Sequence, residues 1–351
     1  MKKTTLVKLA LLAVLSLALS ACGAVPSLSW PGITVDEAEG RVYLAYQGKV
    51  TALNSQNGVP VWEYPTSNQR DFSVFSAPAL ADGQLYLGAY NSSLYSLNAG
   101  SGVEAWNFAD AEGNYIGAPL AAGGRIYASN ADHKLYALDS SGTVLWSFTT
   151  NQPQWGQPVL GDGVVYVSSL NHNLYAVDTA NGSQIWATDL GGTLVSGPLL
   201  HEGTLYAGSF QSEVLAVNAA DGSVQWRRDT QGWVWGTPTL YESQLLVGDL
   251  EGLLYSFNPA NGAENWRVDT GGSITGSPLV LNEHIYVINE AGRVLSITLT
   301  GGIAWNQDFG AELYGSAVAA GDLILFGQHN NTTTLVAVNQ SGTEVWSYPQ
   351  R

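Results

Sequence analysis

Gly163-Val164-Val165-Tyr166, then Asn171-His172-Asn173-Leu174-Tyr175-Ala176-Val177-Asp178, then Gly182 and Trp186: this stretch decides the fold, because it comes back. Its next appearance reads Gly203-Thr204-Leu205-Tyr206, Leu215-Ala216-Val217-Asn218, Gly222 and Trp226. Outward in both directions a tryptophan closes each return. Trp62, Trp106, Trp146, Trp186, Trp226, Trp266, Trp305 and Trp346 are spaced 44, 40, 40, 40, 40, 39 and 41 residues apart. A fixed period of this size marks a repeat architecture.

Each unit parses into four strands. Strand A carries small residues and proline, as in Gly197-Pro198-Leu199-Leu200. A tight glycine turn such as Asp162-Gly163 leads to strand B at 164–167, a polar turn to strand C at 174–177, and a glycine turn to strand D with its Trp. Short apolar runs between turn residues are the hairpin signal. A twisted blade has two apolar faces, each of which a neighbour must cover. A four-stranded repeat of ~40 residues has the size of a propeller blade. The sequence therefore predicts an all-β fold, an eight-bladed β-propeller of four-stranded antiparallel blades over residues 30–351. Its first A strand lies at 33–36 and its last D strand at Glu344–Tyr348. The eight tryptophans are expected to be structural: an indole buries ~200 Å² and can donate its N–H to a carbonyl of the next blade. The glycine four residues before each Trp is expected to lie flat beneath that indole, with the Asp or Asn capping the C–D turn.

The motif Ala-x-(Asp/Asn)-x-x-x-Gly-x-x-x-Trp occurs as Ala52, Asn54, Gly58, Trp62, again as Ala176, Asp178, Gly182, Trp186, and as Ala216, Asn218, Gly222, Trp226. Ser96 and Ser256 replace the Ala in blades 2 and 6. Blades 3 and 8 are one residue shorter, and blade 7 is the most degenerate, with Ser296, Thr298, Gly301 and Trp305. This pattern resembles the tryptophan-docking motif of the pyrroloquinoline-quinone-like (PQQ-like) propeller repeat, across the whole chain after the leader. The family holds both quinoprotein dehydrogenases and catalytically silent scaffolds. The dehydrogenases imply a quinone held by a Trp and commonly a vicinal Cys pair, with calcium and a catalytic Asp. This chain has no Cys pair and lacks their long insertions, so the expectation is no enzyme and no PQQ or calcium.

Forty Gly, 12 Trp and 17 Tyr in a chain only 12% charged fit a packed β protein rather than disorder. Lys+Arg 13 against Asp+Glu 29 gives −16, the wrong sign for a nucleic-acid partner. The single cysteine excludes a disulfide framework, a CxxC redox pair and a cysteine zinc site. No GxxxxGK, HExxH or GxSxG occurs. His133 and His172 fall in matching B–C turns, as solvated hairpin residues or as a weak transition-metal pair; no metal site is predicted. Arg227-Arg228 and Glu37/Glu39 read as solvated edges.

Met1-Lys2-Lys3 and Lys8 precede an apolar run from Leu9 to Leu19. That run is too short to span ~30 Å of hydrocarbon and has the length of a secretory h-region. Leu19-Ser20-Ala21-Cys22 follows and resembles a bacterial lipobox. Residues 1–21 are thus expected to be a lipoprotein signal peptide, Cys22 the lipidated residue and residues 22–29 a short tether. Loss of three lysines leaves 10 basic against 29 acidic residues. The expected location is extracytoplasmic, anchored by lipid to the membrane; Gly23 after the Cys leans toward the outer membrane. The combination of such a lipobox with eight blades of this kind resembles the lipoprotein scaffolds of the outer-membrane β-barrel assembly machinery. That resemblance implies a non-catalytic scaffold with envelope protein partners, the assembly machinery among them.

One feature exceeds the needs of the fold. Positions 75, 115, 155, 195, 235, 275 and 314, just before strand A, hold Phe75, Tyr115, Trp155, Val195, Trp235, Thr275 and Tyr314, with Trp233 alongside. In a propeller these should encircle one mouth of the central channel, where rings either plug the hole or bind a ligand. Asp189, Asp229, Asp269 and Asp308 should cap the same D–A turns. The longer loop at 66–71 adds Arg70 to this face. The alternative function is therefore binding of a small ligand, a sugar, peptide or quinone, at the aromatic mouth.

Overall fold

A computed structural model describes residues 29–66, 71–329 and 332–349. It contains eight four-stranded antiparallel sheets, each built from four consecutive strands in chain order. Blade 1 uses β1 (Gly32–Asp36), β2 (Arg41–Tyr46), β3 (Lys49–Asn54) and β4 (Pro60–Tyr64), and blade 8 uses β29 (Val318–Ala320), β30 (Leu323–Gly327), β31 (Leu335–Val338) and β32 (Glu344–Tyr348). The first strands of neighbouring blades touch, so strand A is innermost and strand D forms the rim. The expected first strand begins one residue early, at Gly32, and the expected last strand matches.

Side-chain alternation in strand B explains the continuous apolar runs. Val42 and Leu44 pack against blade 8, while Tyr43 and Ala45 pack against blade 2. A strand buried on both faces has no polar side to show. Eight core clusters result among the described residues, one at each joint, the last joining Ile33, Val42 and Leu44 to Leu325, Leu335 and Trp346.

All eight indoles donate Nε1–H to a carbonyl of the following blade. Trp62 bonds Ala99 at 3.0 Å, Trp226 bonds Pro259 at 2.9 Å, and Trp346 bonds Ser55 at 3.0 Å across the seam between blades 8 and 1. The glycine expectation needs correction. The glycine beneath each indole belongs to the next blade, not to the Trp's own: Gly102 lies under Trp62, Gly222 under Trp186, and Gly58 under Trp346. A Cβ on Gly58 would stand 2.5 Å from Cε3 of Trp346. The motif is therefore two halves, a Trp facing forward and a Gly facing back. A register shift in the C–D pairing, next to the residue opposite each Trp, recurs in every blade. The C–D turn caps form as expected: Asn54 Oδ1 accepts from Gln56 N–H at 3.0 Å, and Asp139 Oδ1 from Thr143 N–H at 3.0 Å.

The charged pairs read as solvated edges also reach across joints. Arg227 donates to Leu190 O of blade 4 at 2.9 Å, and Arg228 donates to Gly262 O of blade 6 at 2.8 Å. Glu37 accepts the Gly321 N–H of blade 8 at 2.7 Å. Long side chains on the rim can satisfy loop carbonyls while their charge stays wet.

Candidate functional site

The D–A loops and B–C turns share one face. Ala131 N–H bonds Asn114 O at 3.0 Å, and Asn130 Nδ2 donates to Gly113 O at 2.8 Å, linking the two kinds of loop within a blade. Asp189, Asp269 and Asp308 accept from Gly191, Gly271 and Gly310 N–H, each at 2.8 Å. In the blade 6 loop Gly232 N–H instead bonds Asp249 at 2.8 Å.

The inner end of each D–A loop is set by small residues. A Cβ on Gly117, Gly236 or Gly276 would collide with the backbone of the neighbouring blade, at 2.1, 2.4 and 1.7 Å. Eight chains can converge here only because these positions are nearly bare. The residue one step earlier then leans over the channel. Phe75, Trp155, Val195 and Trp235 line a cavity of about 300 Å³ with Ser76, Gly117, Ser316 and Val318.

Tyr115 is not among them. The even spacing of 40 misplaced it: measured from the strand A prolines, Pro78 and Pro119 are 41 apart, so Ile116 takes the position facing the channel. Tyr115 turns instead into the joint between blades 2 and 3, 1% exposed, where Gly88 leaves room for its ring. Tyr314 belongs to the mouth but lies beside His329 rather than in the cavity. Arg70 and Cys22 lie outside the described residues.

The largest omission from the sequence reading is Trp30. It stands three residues before Ile33, as Phe75 stands three before Pro78, and supplies the blade 1 member of the ring. Its ring meets Phe75 edge-on at 5.5 Å and 82°, and reaches Trp235 of blade 6 at 6.4 Å and 90°. Trp235 continues to Phe210 at 5.5 Å, and Phe210 stacks on Trp233 at 4.8 Å and 15°. Tyr90 extends the other end against Phe75 at 5.1 Å. Six rings thus form a belt across the mouth, with Trp30 as its bridge. Offset and edge-on pairs of this kind each contribute ~0.5–1.5 kcal/mol beyond burial.

Ser29 fixes the bridge. It is fully buried and its Oγ accepts Gln47 N–H at 2.6 Å. The His329 ring lies edge-on between Tyr46 and Tyr314, at 6.5 and 5.3 Å. Burial lowers the His329 pKa, against the pull of Glu312. Nearby Glu290 is pushed up to about 7 by burial and then by the charge of Glu312, with a hydrogen bond from Ser273 opposing.

His133 and His172 adopt left-handed φ of 72° and 73° at equivalent B–C turns. Among the described residues no three His, Cys, Asp or Glu side chains come together as metal ligands. Among the described residues no carboxylate lines the cavity. The mouth therefore does not fit calcium, and the chain's single cysteine does not fit the clamp of a quinone.

Comparison with known proteins gives four findings. A family model described as outer membrane protein assembly factor BamB matches residues 23–141, 131–233 and 211–351. The curated outer membrane protein assembly factor BamB of Yersinia pestis is 25% identical over 133 residues, 36% of this chain; the chain spans about a third (32%) of that relative's length. The crystal structure of BamB from Moraxella catarrhalis superposes with a TM-score of 0.73 at 15% identity, covering 87% of this chain and 95% of that one. The computationally designed Ika8 protein does so at 0.74 and 12% identity, covering 90% and 98%. A designed ring fits as well as a natural one, so the superpositions speak for the fold.

Proposed function

From the premise that this chain belongs to the family of outer membrane protein assembly factor BamB, we propose that it is an extracytoplasmic scaffold that binds protein partners in outer-membrane protein assembly. The observation that carries this reading is the family match, which runs from residue 23 to residue 351. The lipobox at Leu19-Ser20-Ala21-Cys22 supports anchoring through lipidated Cys22, without a membrane-spanning helix. The missing vicinal Cys pair supports a non-catalytic role. The aromatic belt, with Trp30, Phe210, Trp233 and Trp235 partly exposed, is the surface on which a partner would find rigid apolar anchors.

Crosslinking of the lipidated protein in its own membranes, read by mass spectrometry, tests this. Recovery of subunits of the β-barrel assembly machinery is the expected result. Recovery of no protein partner from well-solubilised membranes overturns it.

The cavity of about 300 Å³ favours a second reading, binding of a small sugar, peptide or quinone beneath the rings. Trp155→Ala and Trp235→Ala should then abolish the change in tryptophan fluorescence on ligand addition while the far-ultraviolet spectrum is kept. Loss of fold without any ligand response in the parent protein removes this reading.

A further inference from the structure

The chain enters the propeller at the channel mouth. Ser29 is pinned there by Gln47, and Trp30 bridges the opening to Trp235. Cys22 stands only seven residues earlier. A fully extended chain gains at most ~3.6 Å per residue, so Cys22 lies within about 25 Å of Ser29. To bring the opposite face to a bilayer, the chain must run outward past two strands, about 10 Å, and then down the height of a blade, about 17 Å. That path already exceeds its reach.

The face so presented is acidic. Asp71, Asp110, Glu112, Asp229, Asp269 and Glu312 are exposed on or beside the D–A loops. Arg70 is the one Lys or Arg within those loops; Arg227 and Arg293 stand beside them, Arg227 bonded to Leu190 O and paired with Glu213, so carboxylates still outnumber cations there. A bilayer surface carrying anionic lipid repels such a face, with a range of about 8–10 Å at physiological salt. The tether holds the mouth near the membrane while its charge keeps it off the lipid.

We propose that the aromatic mouth is the membrane-facing side of this propeller and that it receives a basic polypeptide segment held at the membrane surface. This rests on lipidation of Cys22, as proposed above, and adds orientation and partner chemistry to it. The belt offers apolar anchors in the centre, and the surrounding carboxylates select for lysine and arginine at the rim. A short tether also raises the effective concentration of any partner in the same membrane.

The test uses the full lipidated chain on vesicles of phosphatidylethanolamine and phosphatidylglycerol carrying an acceptor dye on the headgroup. A donor dye is placed at Gln231→Cys on the mouth face or at Ala180→Cys on a C–D turn of the opposite face; both sites are exposed. Mass spectrometry of the N-terminal peptide and vesicle flotation come first, so failure of lipidation is seen separately. Energy transfer should be stronger from 231 than from 180, and twenty Gly/Ser residues inserted after Gly23 should shrink the difference. Equal or reversed transfer in the parent overturns the orientation. Contact quenching of the 231 dye by nitroxide-headgroup lipids means that the face lies on lipid and overturns the gap. A lipid-anchored oligolysine peptide should crosslink to a photoprobe at 231, not at 180, and should do so less as salt rises. Equal crosslinking by an oligoglutamate peptide overturns the partner chemistry.

Discussion

Replacing Gly58 by alanine probes how the ring closes. Gly58 has φ +68° and lies beneath the Trp346 indole, with a built Cβ 2.5 Å from Cε3 and 3.0 Å from Cδ2. Gly83 has nearly the same backbone, φ +70°, with nothing within 4 Å of its Cβ. Left-handed backbone costs an alanine about 1–2 kcal/mol in both places. At Gly58 the indole must also retreat by about 1 Å to regain van der Waals contact at ~3.5 Å. Overpacking of that size costs about 1–3 kcal/mol. The retreat also stretches the 3.0 Å bond from Trp346 to Ser55 O, worth about 1 kcal/mol. Gly58→Ala should therefore cost about 3–5 kcal/mol and Gly83→Ala about 1–2. In a Trp346→Ala background the clash is gone, and Gly58→Ala should add only its backbone cost, a coupling of about 2–3 kcal/mol. Urea unfolding followed by circular dichroism gives the stabilities of the parent and the four variants, since removal of a Trp compromises fluorescence. Equal losses for Gly58→Ala and Gly83→Ala, or an unchanged Gly58→Ala loss without the indole, would refute the closure argument.

Three further expectations follow from the mouth and its walls. Trp30→Ala should leave the blades folded but open the channel, seen as binding of an apolar dye that the parent excludes. Tyr115→Ala should cost about 3–5 kcal/mol, like other large buried aromatics, and Ile116→Ala distinctly less in the same unfolding assay; the reverse order would restore Tyr115 to the mouth. Glu290, raised to about 7 from 4.5, holds its proton longer when folded than when unfolded. Its contribution is therefore fully present below pH 4.5 and lost as pH rises through 7, capped at about 3 kcal/mol. Glu290→Gln should flatten the stability profile across that window, as thermal melts from pH 4.5 to 7.5 would show.

The repeat was legible because each blade must solve the same two-faced burial, and Trp with Gly solves it at a fixed offset. Which glycine serves which indole was not legible. Within a repeat every unit looks alike, so contact to one's own blade and contact to the next have the same sequence signature. The misplacement of Tyr115 has a related cause. Loops change length at little cost, so counting in steps of 40 drifts, whereas Pro78 and Pro119 mark a backbone position and do not. Trp30 was missed because it precedes the first complete unit. Aligning Ile33 with Pro78 would have found it. The glycines at 117, 236 and 276 were visible as letters, but only the convergence of eight chains shows why a methyl group is excluded there.

Every blade is made of four consecutive strands, and the seam between blades 8 and 1 has the same parts as the other seven joints. No strand is exchanged across it. The molecule therefore has a beginning and an end in its covalent order but none in its packing. Any D–A connection could serve as the break in the chain, and a blade could be gained or lost by duplication without rewriting a neighbour. What distinguishes one blade from another at the mouth is written in the loops, so the mouth can be altered piecemeal while the ring that carries it stays the same.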